Sequence, residues 1–151
     1  MCSSDLICED LARMDPVTEL VRSVGPNLVV TLLLDGPQLA VRWPARYATV
    51  LAEDPGSSVL TLTSAGMVAL SRPITKKKGT KSSAAHTAGR VIALWKDAKH
   101  APIEIKLEPG SGGVLLNLQR EFHKEWTADG RDDGSTTAYL ICNKVRQIRM
   151  K

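Results

Sequence analysis

Residues 6–13 read Leu-Ile-Cys-Glu-Asp-Leu-Ala-Arg, with a cysteine ending a short apolar run, two carboxylates directly after it and a helical pattern downstream. That order describes a strand-to-helix turn presenting a nucleophile. A thiol at Cys8 would stand near the N-terminus of the following helix, where unpaired backbone N–H groups and the helix dipole favour thiolate. Glu9 and Asp10 act in the opposite sense, because nearby negative charge raises the pKa of a thiol. The competing reading is a buried structural cysteine, since cysteine is among the most buried residue types.

A cysteine hydrolase needs more than its thiol. The proton must be taken, the oxyanion stabilised and water later activated on a thioester. His86, His100 and His123 fall in expected loops or on an expected surface helix. None has an orienting carboxylate at diagnostic spacing, so they read as solvated side chains rather than as the base of a Cys–His pair. No His or Cys recurs at metal-ligand spacing, so neither a metal nor a cofactor is expected. Cys2, Cys8 and Cys142 form an odd set with no close pairing, which supports no disulfide framework and points to a reducing, cytoplasmic setting.

The elements that must position Cys8 follow from periodicity and punctuation. The residues before it read as the tail of a strand. Asp15 can cap a helix opened by Pro16 and running through Val24, with Val17, Leu20, Val21 and Val24 at helical spacing and Gly25-Pro26 ending it. Residues 27–34 are almost wholly apolar, which predicts a strand buried on both faces. Asp35-Gly36-Pro37 turns the chain into a helix whose regular part begins at Trp43, and Asp54-Pro55-Gly56 turns it into a second buried strand at 58–63. Gly66-Met67-Val68 reads as a further short strand. Residues 73–89 offer almost nothing to bury and read as a flexible loop. Strands return at 91–95, 103–107 and 114–118. Residues 120–126 read as a short amphipathic helix, 136–142 as a last strand, and the basic residues beyond as a fraying tail.

Ile7-Cys8-Glu9-Asp10, followed by Asp15-Pro16, resembles the nucleophile segment of the nitrilase, or carbon–nitrogen hydrolase, superfamily, in the Cys-Glu-Asp form of its glutamine-hydrolysing members. The order of helices and strands downstream is similar, and Ala45-Arg46 and Ala52-Glu53-Asp54 occupy the places of that family's Ala-Arg and Glu-Asn positions. The resemblance covers residues 6–129 and corresponds to the C-terminal half of a family domain. It implies an α/β fold that is half of an αββα four-layer sandwich, a mixed β-sheet with helices on one face. It also implies Cys8 as nucleophile and the Glu9 backbone N–H as an oxyanion donor, acting on the non-peptide C–N bond of a small amide. The Glu and Lys used by the family lie upstream of its Cys. Seven residues precede Cys8, and none is Glu or Lys.

The expected function is therefore a truncated or split carbon–nitrogen hydrolase-like domain, inactive as an isolated chain and associating with itself or with a complementing N-terminal half. The alternative is a non-catalytic interaction or scaffold module, or a fragment of a larger multidomain protein. Residues 1–130 form the partial domain in this reading, with 131–151 as a C-terminal strand and basic tail. Composition fits an ordinary soluble domain, with 43% hydrophobic and 24% charged residues in a chain of 151. The net charge of +4 is concentrated at Lys76, Lys77, Lys78 and Lys81 and at Lys144, Arg146, Arg149 and Lys151, which reads as a solvated loop and tail; nucleic acid is thus an unlikely partner. No apolar run approaches membrane-spanning length, and no signal peptide is read at the N-terminus.

Overall fold

The computed structural model describes residues 3–71, 89–124, 129–130, 134 and 136–149. The chain is mixed α/β, built on a five-stranded mixed sheet with few helices. Strands β1 (Ser3–Ile7), β2 (Leu28–Leu32), β3 (Ser58–Leu62), β4 (Val91–Lys96) and β5 (Ile103–Lys106) lie side by side in chain order. The first three run parallel, and β4 and β5 are antiparallel to their neighbours. Two long strands, β6 (Ser111–Lys124) and β7 (Thr136–Arg149), pair with each other as a separate antiparallel ribbon.

Because side chains alternate across a strand, each run of apolar residues splits between two cores. Leu6, Val29, Val59 and Leu94 point to one face and pack with Leu11, Val21, Ala45, Ala48 and Leu51 from the helical layer. Helix α2 (Trp43–Glu53) accepts Pro44 in its first turn and turns small residues toward the sheet, which lets its backbone approach closely. Trp43 and Tyr47, one turn apart, meet edge to face at 6.1 Å beside that contact. Ala93, Trp95, Ile105, Leu28, Leu60, Leu62 and Ile103 point the other way, onto Val114, Leu116, Leu118, Leu140 and Cys142 of the ribbon. Helices thus cover one face and the β6–β7 ribbon covers part of the other. Three side-chain bonds tie ribbon to sheet: Ser58 Oγ donates to the Leu140 carbonyl at 2.6 Å, Asn27 Nδ2 to the Ala138 carbonyl at 3.1 Å and Gln147 Nε2 to the Lys106 carbonyl at 2.8 Å.

Several expectations are corrected. Residues 120–124, read as helix from the spacing of Phe122, continue β6 instead; residues 125 and 126 lie outside the described residues. The basic C-terminus does not fray after Cys142. It remains paired through Arg149, whose partner is Ser111, so β6 and β7 join across the division expected at 130/131. In both places a long cross-strand ladder outweighed weak local helical or tail-like patterning. Gly66-Met67-Val68 is not a strand but lies in α3 (Ala65–Leu70), capped where Met67 N donates to Ser64 Oγ at 3.1 Å. The helix expected from Pro16 through Val24 is present, with Asp15 extended before it as a cap residue is, but its first turn lies in a wide turn over Met14–Thr18 and only α1 (Glu19–Val24) is regular α-helix. Gly25 ends it at φ 58°, as its position suggested. The lysine-rich loop expected at 73–89 lies, apart from Gly89, outside the described residues.

The strands expected to need a layer on each side have one only in part. The ribbon reaches β3, β4 and β5, whereas Ile7 (64% exposed), Leu32 (48%) and Leu34 (74%) stand uncovered at the ends of β1 and β2. Ile7 and Leu32 are register partners, so these side chains form one apolar strip. No helix among the described residues is long and apolar enough to cross a membrane.

Candidate functional site

Strand β1 ends at Ile7, and the next residue makes the turn. Cys8 has φ 51°, a left-handed conformation that the described residues otherwise reserve for glycine. A side chain there crowds the following carbonyl, at a cost on the order of 1–2 kcal/mol. From Cys8 the chain enters a 3₁₀ helix, Cys8–Ala12, anchored by the buried Leu11. The Asp10 carboxylate reaches back to accept the Ile7 N–H at 3.3 Å. Strand, left-handed residue and short helix together make a sharp turn at the end of β1. Cys8 is a half-buried free thiol. Removing its Cβ should relieve the turn. Cys8→Gly is expected to be about 1 kcal/mol more stable than Cys8→Ala in denaturant unfolding; equal midpoints would show that the turn carries no strain.

The two acidic neighbours are each engaged by a local partner. Glu9 Oε1 is held by Arg13 Nη2 at 2.9 Å in an exposed pair, and Asp10 is occupied with the Ile7 N–H. The Glu9 N–H lies in the first turn of the 3₁₀ helix, where backbone donors lack intrahelical acceptors. Among the described lysines of the sheet and its hairpin, Lys96 and Lys99 belong to the opposite end of the sheet, since Lys96 is paired with Val59 near the start of β3. Lys106 lies on β5, four strands from β1.

Beside Cys8, the carboxyl end of β2 carries a polar cluster that the sequence presented only as a turn. Asp35 Oδ1 accepts the Gly36 N–H at 2.7 Å and Arg42 Nη2 at 2.8 Å. Asp35 Oδ2 is buried without a hydrogen-bond partner. Gly36 leaves room for the Arg42 guanidinium and the Ser71 hydroxyl, which an added Cβ would strike. Gln38, fully buried, donates to the Gly36 carbonyl at 3.0 Å and accepts from Thr61 Oγ1 at 2.9 Å. Ligands of open α/β sheets gather at the carboxyl ends of parallel strands, and Cys8, Asp35 and Ser64 all follow such ends.

His100 departs from its reading as an unoriented histidine. Its Nδ1 lies 3.0 Å from Asp97 Oδ1, and its own N–H donates to the same oxygen at 2.8 Å. Asp97 also accepts from Lys99 N at 3.0 Å and, through Oδ2, from Trp95 Nε1 at 3.0 Å. Burial pushes this carboxyl up, but the donors from His100, Trp95 and Lys99 outweigh it and hold it below the usual carboxylate range. Spacing of three within the β4–β5 hairpin was the available signal, an Asx-type turn. The pair nevertheless cannot serve Cys8. It lies beyond Lys96 at the opposite end of the sheet, and β4 stands three strand spacings, roughly 14 Å, from β1. His123 lies exposed on β6, and His86 is outside the described residues. Burial first and the Asp97 charge second push the Cys142 thiol up, against a backbone hydrogen bond from Lys144, so Cys142 stays protonated near neutrality.

The same hairpin is joined to the ribbon through Glu121, whose Oε2 meets Lys99 Nζ at 3.0 Å and accepts Tyr139 O–H at 3.1 Å. Among the described residues no group of three or more His, Cys, Asp or Glu is placed to hold a metal ion. No protein family model, curated protein or solved structure matches this chain.

Proposed function

We propose that this chain is the nucleophile-bearing part of a carbon–nitrogen hydrolase-like domain, with Cys8 as the attacking thiol and the Glu9 N–H as one oxyanion donor. The observation that carries the reading is the left-handed Cys8 at the end of β1, because strain at a non-glycine residue in a strand-to-helix turn is a feature of nucleophile sites. In this reading Sγ adds to the acyl carbon of a small amide, the amine leaves with a proton supplied by an acid, and water hydrolyses the thioester. Glu9 and Asp10 are directed to Arg13 and to the Ile7 N–H rather than to a bound amide. A Glu and a Lys brought by a complementing polypeptide would complete the site. The five-stranded sheet with its helices would then be half of an αββα sandwich, and the Ile7, Leu32 and Leu34 strip would receive the complementing layer.

The test is an amide-hydrolysis assay on the chain alone, and again with an added Glu- and Lys-bearing N-terminal half from a complete carbon–nitrogen hydrolase, each beside Cys8→Ala. Turnover only after complementation, lost in Cys8→Ala, supports the reading. Turnover by the chain alone that vanishes in Cys8→Ala would overturn the need for a second half, and complemented turnover that survives Cys8→Ala would remove Cys8 as nucleophile.

The exposed strip also favours a second reading, a non-catalytic interaction module that associates through β1 and β2. Covering a Val- or Leu-sized side chain is worth roughly 1.5–3 kcal/mol, so the isolated chain is expected to self-associate. Leu34→Lys should weaken that association while shifting unfolding by no more than about 0.5 kcal/mol, as surface changes do. Light scattering that finds the parent chain monomeric at high concentration would sink this expectation.

A further inference from the structure

Pairing with β6 through Arg149 fixes the charges of the C-terminal strand in place. As a fraying tail, its basic residues would be solvated and mobile; as β7 they are fixed on a ladder of fourteen residues. Strands β6 and β7 together carry Arg120, Lys124, Lys144, Arg146 and Arg149 against a single carboxylate, Glu121. All five cations are exposed. Glu121 is already engaged by Lys99 and Tyr139. Lys144, Arg146 and Arg149 make no ion pair among the described residues, and Arg120 lies over the Phe122 ring at 5.1 Å. Residues 3–71, by contrast, hold eight carboxylates and four cations, so the molecule is electrically polar.

The register places the cations relative to the core. Leu116 and Leu118 pack on the sheet, so Asn117 and its partner Lys144 project to the outer side, as do Leu115 and its partner Arg146. Lys144 and Arg146 are two residues apart on one strand, about 7 Å, and point the same way. Around them the outer side offers amides, Asn117 and Gln119, and the exposed apolar Leu115 and Ile148. A two-stranded ribbon of this kind fits the major groove of a duplex, where phosphates supply one charge per roughly 1.7 Å of axis. The aromatic residues of the described ribbon already have polar partners, with Arg120 over the Phe122 ring and the Tyr139 O–H on Glu121.

From this arrangement we infer that the outer side of the β6–β7 ribbon is a docking surface for the phosphate backbone of double-stranded nucleic acid, read through Lys144 and Arg146 without sequence preference. This surface is independent of Cys8 and of its complementation.

The test is fluorescence anisotropy of the full chain with a labelled duplex and with a single strand of the same length, over about 50 to 200 mM salt. Duplex affinity should be micromolar at the low end, with log K falling against log salt by about 0.9 for each phosphate engaged. Lys144→Glu with Arg146→Glu should weaken duplex binding at least tenfold, and the milder Lys144→Gln with Arg146→Gln should lower the salt slope by about 2. Arg46→Glu, a reversal on the exposed side of α2, should leave binding unchanged. Circular dichroism and the unfolding midpoint check that the ribbon variants stay folded, and the glutamine pair serves if the glutamate pair does not.

Several results would overturn the inference. These are no duplex binding at 50 mM salt, binding untouched by both ribbon pairs, and binding removed instead by glutamine at Lys76, Lys77 and Lys78. Tighter binding of the single strand would also overturn it, as that means base contacts. Salt-sensitive self-association abolished by the ribbon pairs, without duplex binding, would reassign the face to the acidic half of a second copy.

Discussion

Adding a Glu- and Lys-bearing N-terminal half is expected to raise amide turnover at Cys8 by at least about 10⁴-fold over the isolated chain. A positioned general base contributes roughly 10² to 10⁴ and an oxyanion donor roughly 10² to 10³, and the two act as one unit with the nucleophile. In the proposed reading the described residues of the isolated chain bring the thiol and a backbone N–H to the turn. Its own carboxylates are directed elsewhere, Glu9 onto Arg13 at 2.9 Å and Asp10 onto the Ile7 N–H at 3.3 Å. Adjacent residues in the chain also point in different directions, so freeing Glu9 by Arg13→Ala should not bring its carboxylate to the thiol and should not restore turnover. The steady-state rate with a small amide decides it, measured at saturating complementing half so that weak association does not mask chemistry.

Asp97→Ala is expected to be the most destabilising polar substitution in the chain, on the order of 3 kcal/mol or more in denaturant unfolding. Asp97 is 1% exposed, accepts three hydrogen bonds, from Trp95 Nε1, Lys99 N and His100 N, and lies 3.0 Å from His100 Nδ1. A hydrogen bond to a charged group is worth about 1.5–3 kcal/mol, and a buried donor left unpaired costs about 1–3 kcal/mol. The Trp95 N–H would be such a donor, on a side chain with no exposed surface. The variant should also lose part of the acid sensitivity of the parent. The folded Asp97 carboxyl titrates below its ordinary value, so its contribution is complete above the ordinary carboxylate range, near pH 4, and disappears as pH falls through the lower folded value. Stability of the parent should therefore fall more steeply than that of Asp97→Ala below about pH 4. Parallel pH profiles would show that folding does not lower the pKa of the Asp97 carboxyl.

The sequence by itself determined the local decisions. Helix α2 began at Trp43 and ended at Glu53 where Pro44 and the Asp54-Pro55-Gly56 turn required, and the apolar runs became β2 to β5. It also marked Cys8 as the residue of interest, because a thiol between an apolar run and a helical pattern is a statement about neighbours in the chain. Where local pattern was weak, distant pairing decided. Phe122 and the residues around it could satisfy a helical face, but thirteen register pairs with β7 made them strand, and the same ladder turned a basic tail into a charged ribbon.

The sites depended still more on contacts that no spacing encodes. Asp35 and Arg42 meet because Gly36 leaves room between them, and Asp97 gains its strength from Trp95, whose indole the sheet buries. The left-handed turn at Cys8 is likewise a tertiary matter: β1 is held in register by β2 as far as Ile7, and Leu11 is held in the helical core, so Cys8, the first of the three residues between them, absorbs the bend.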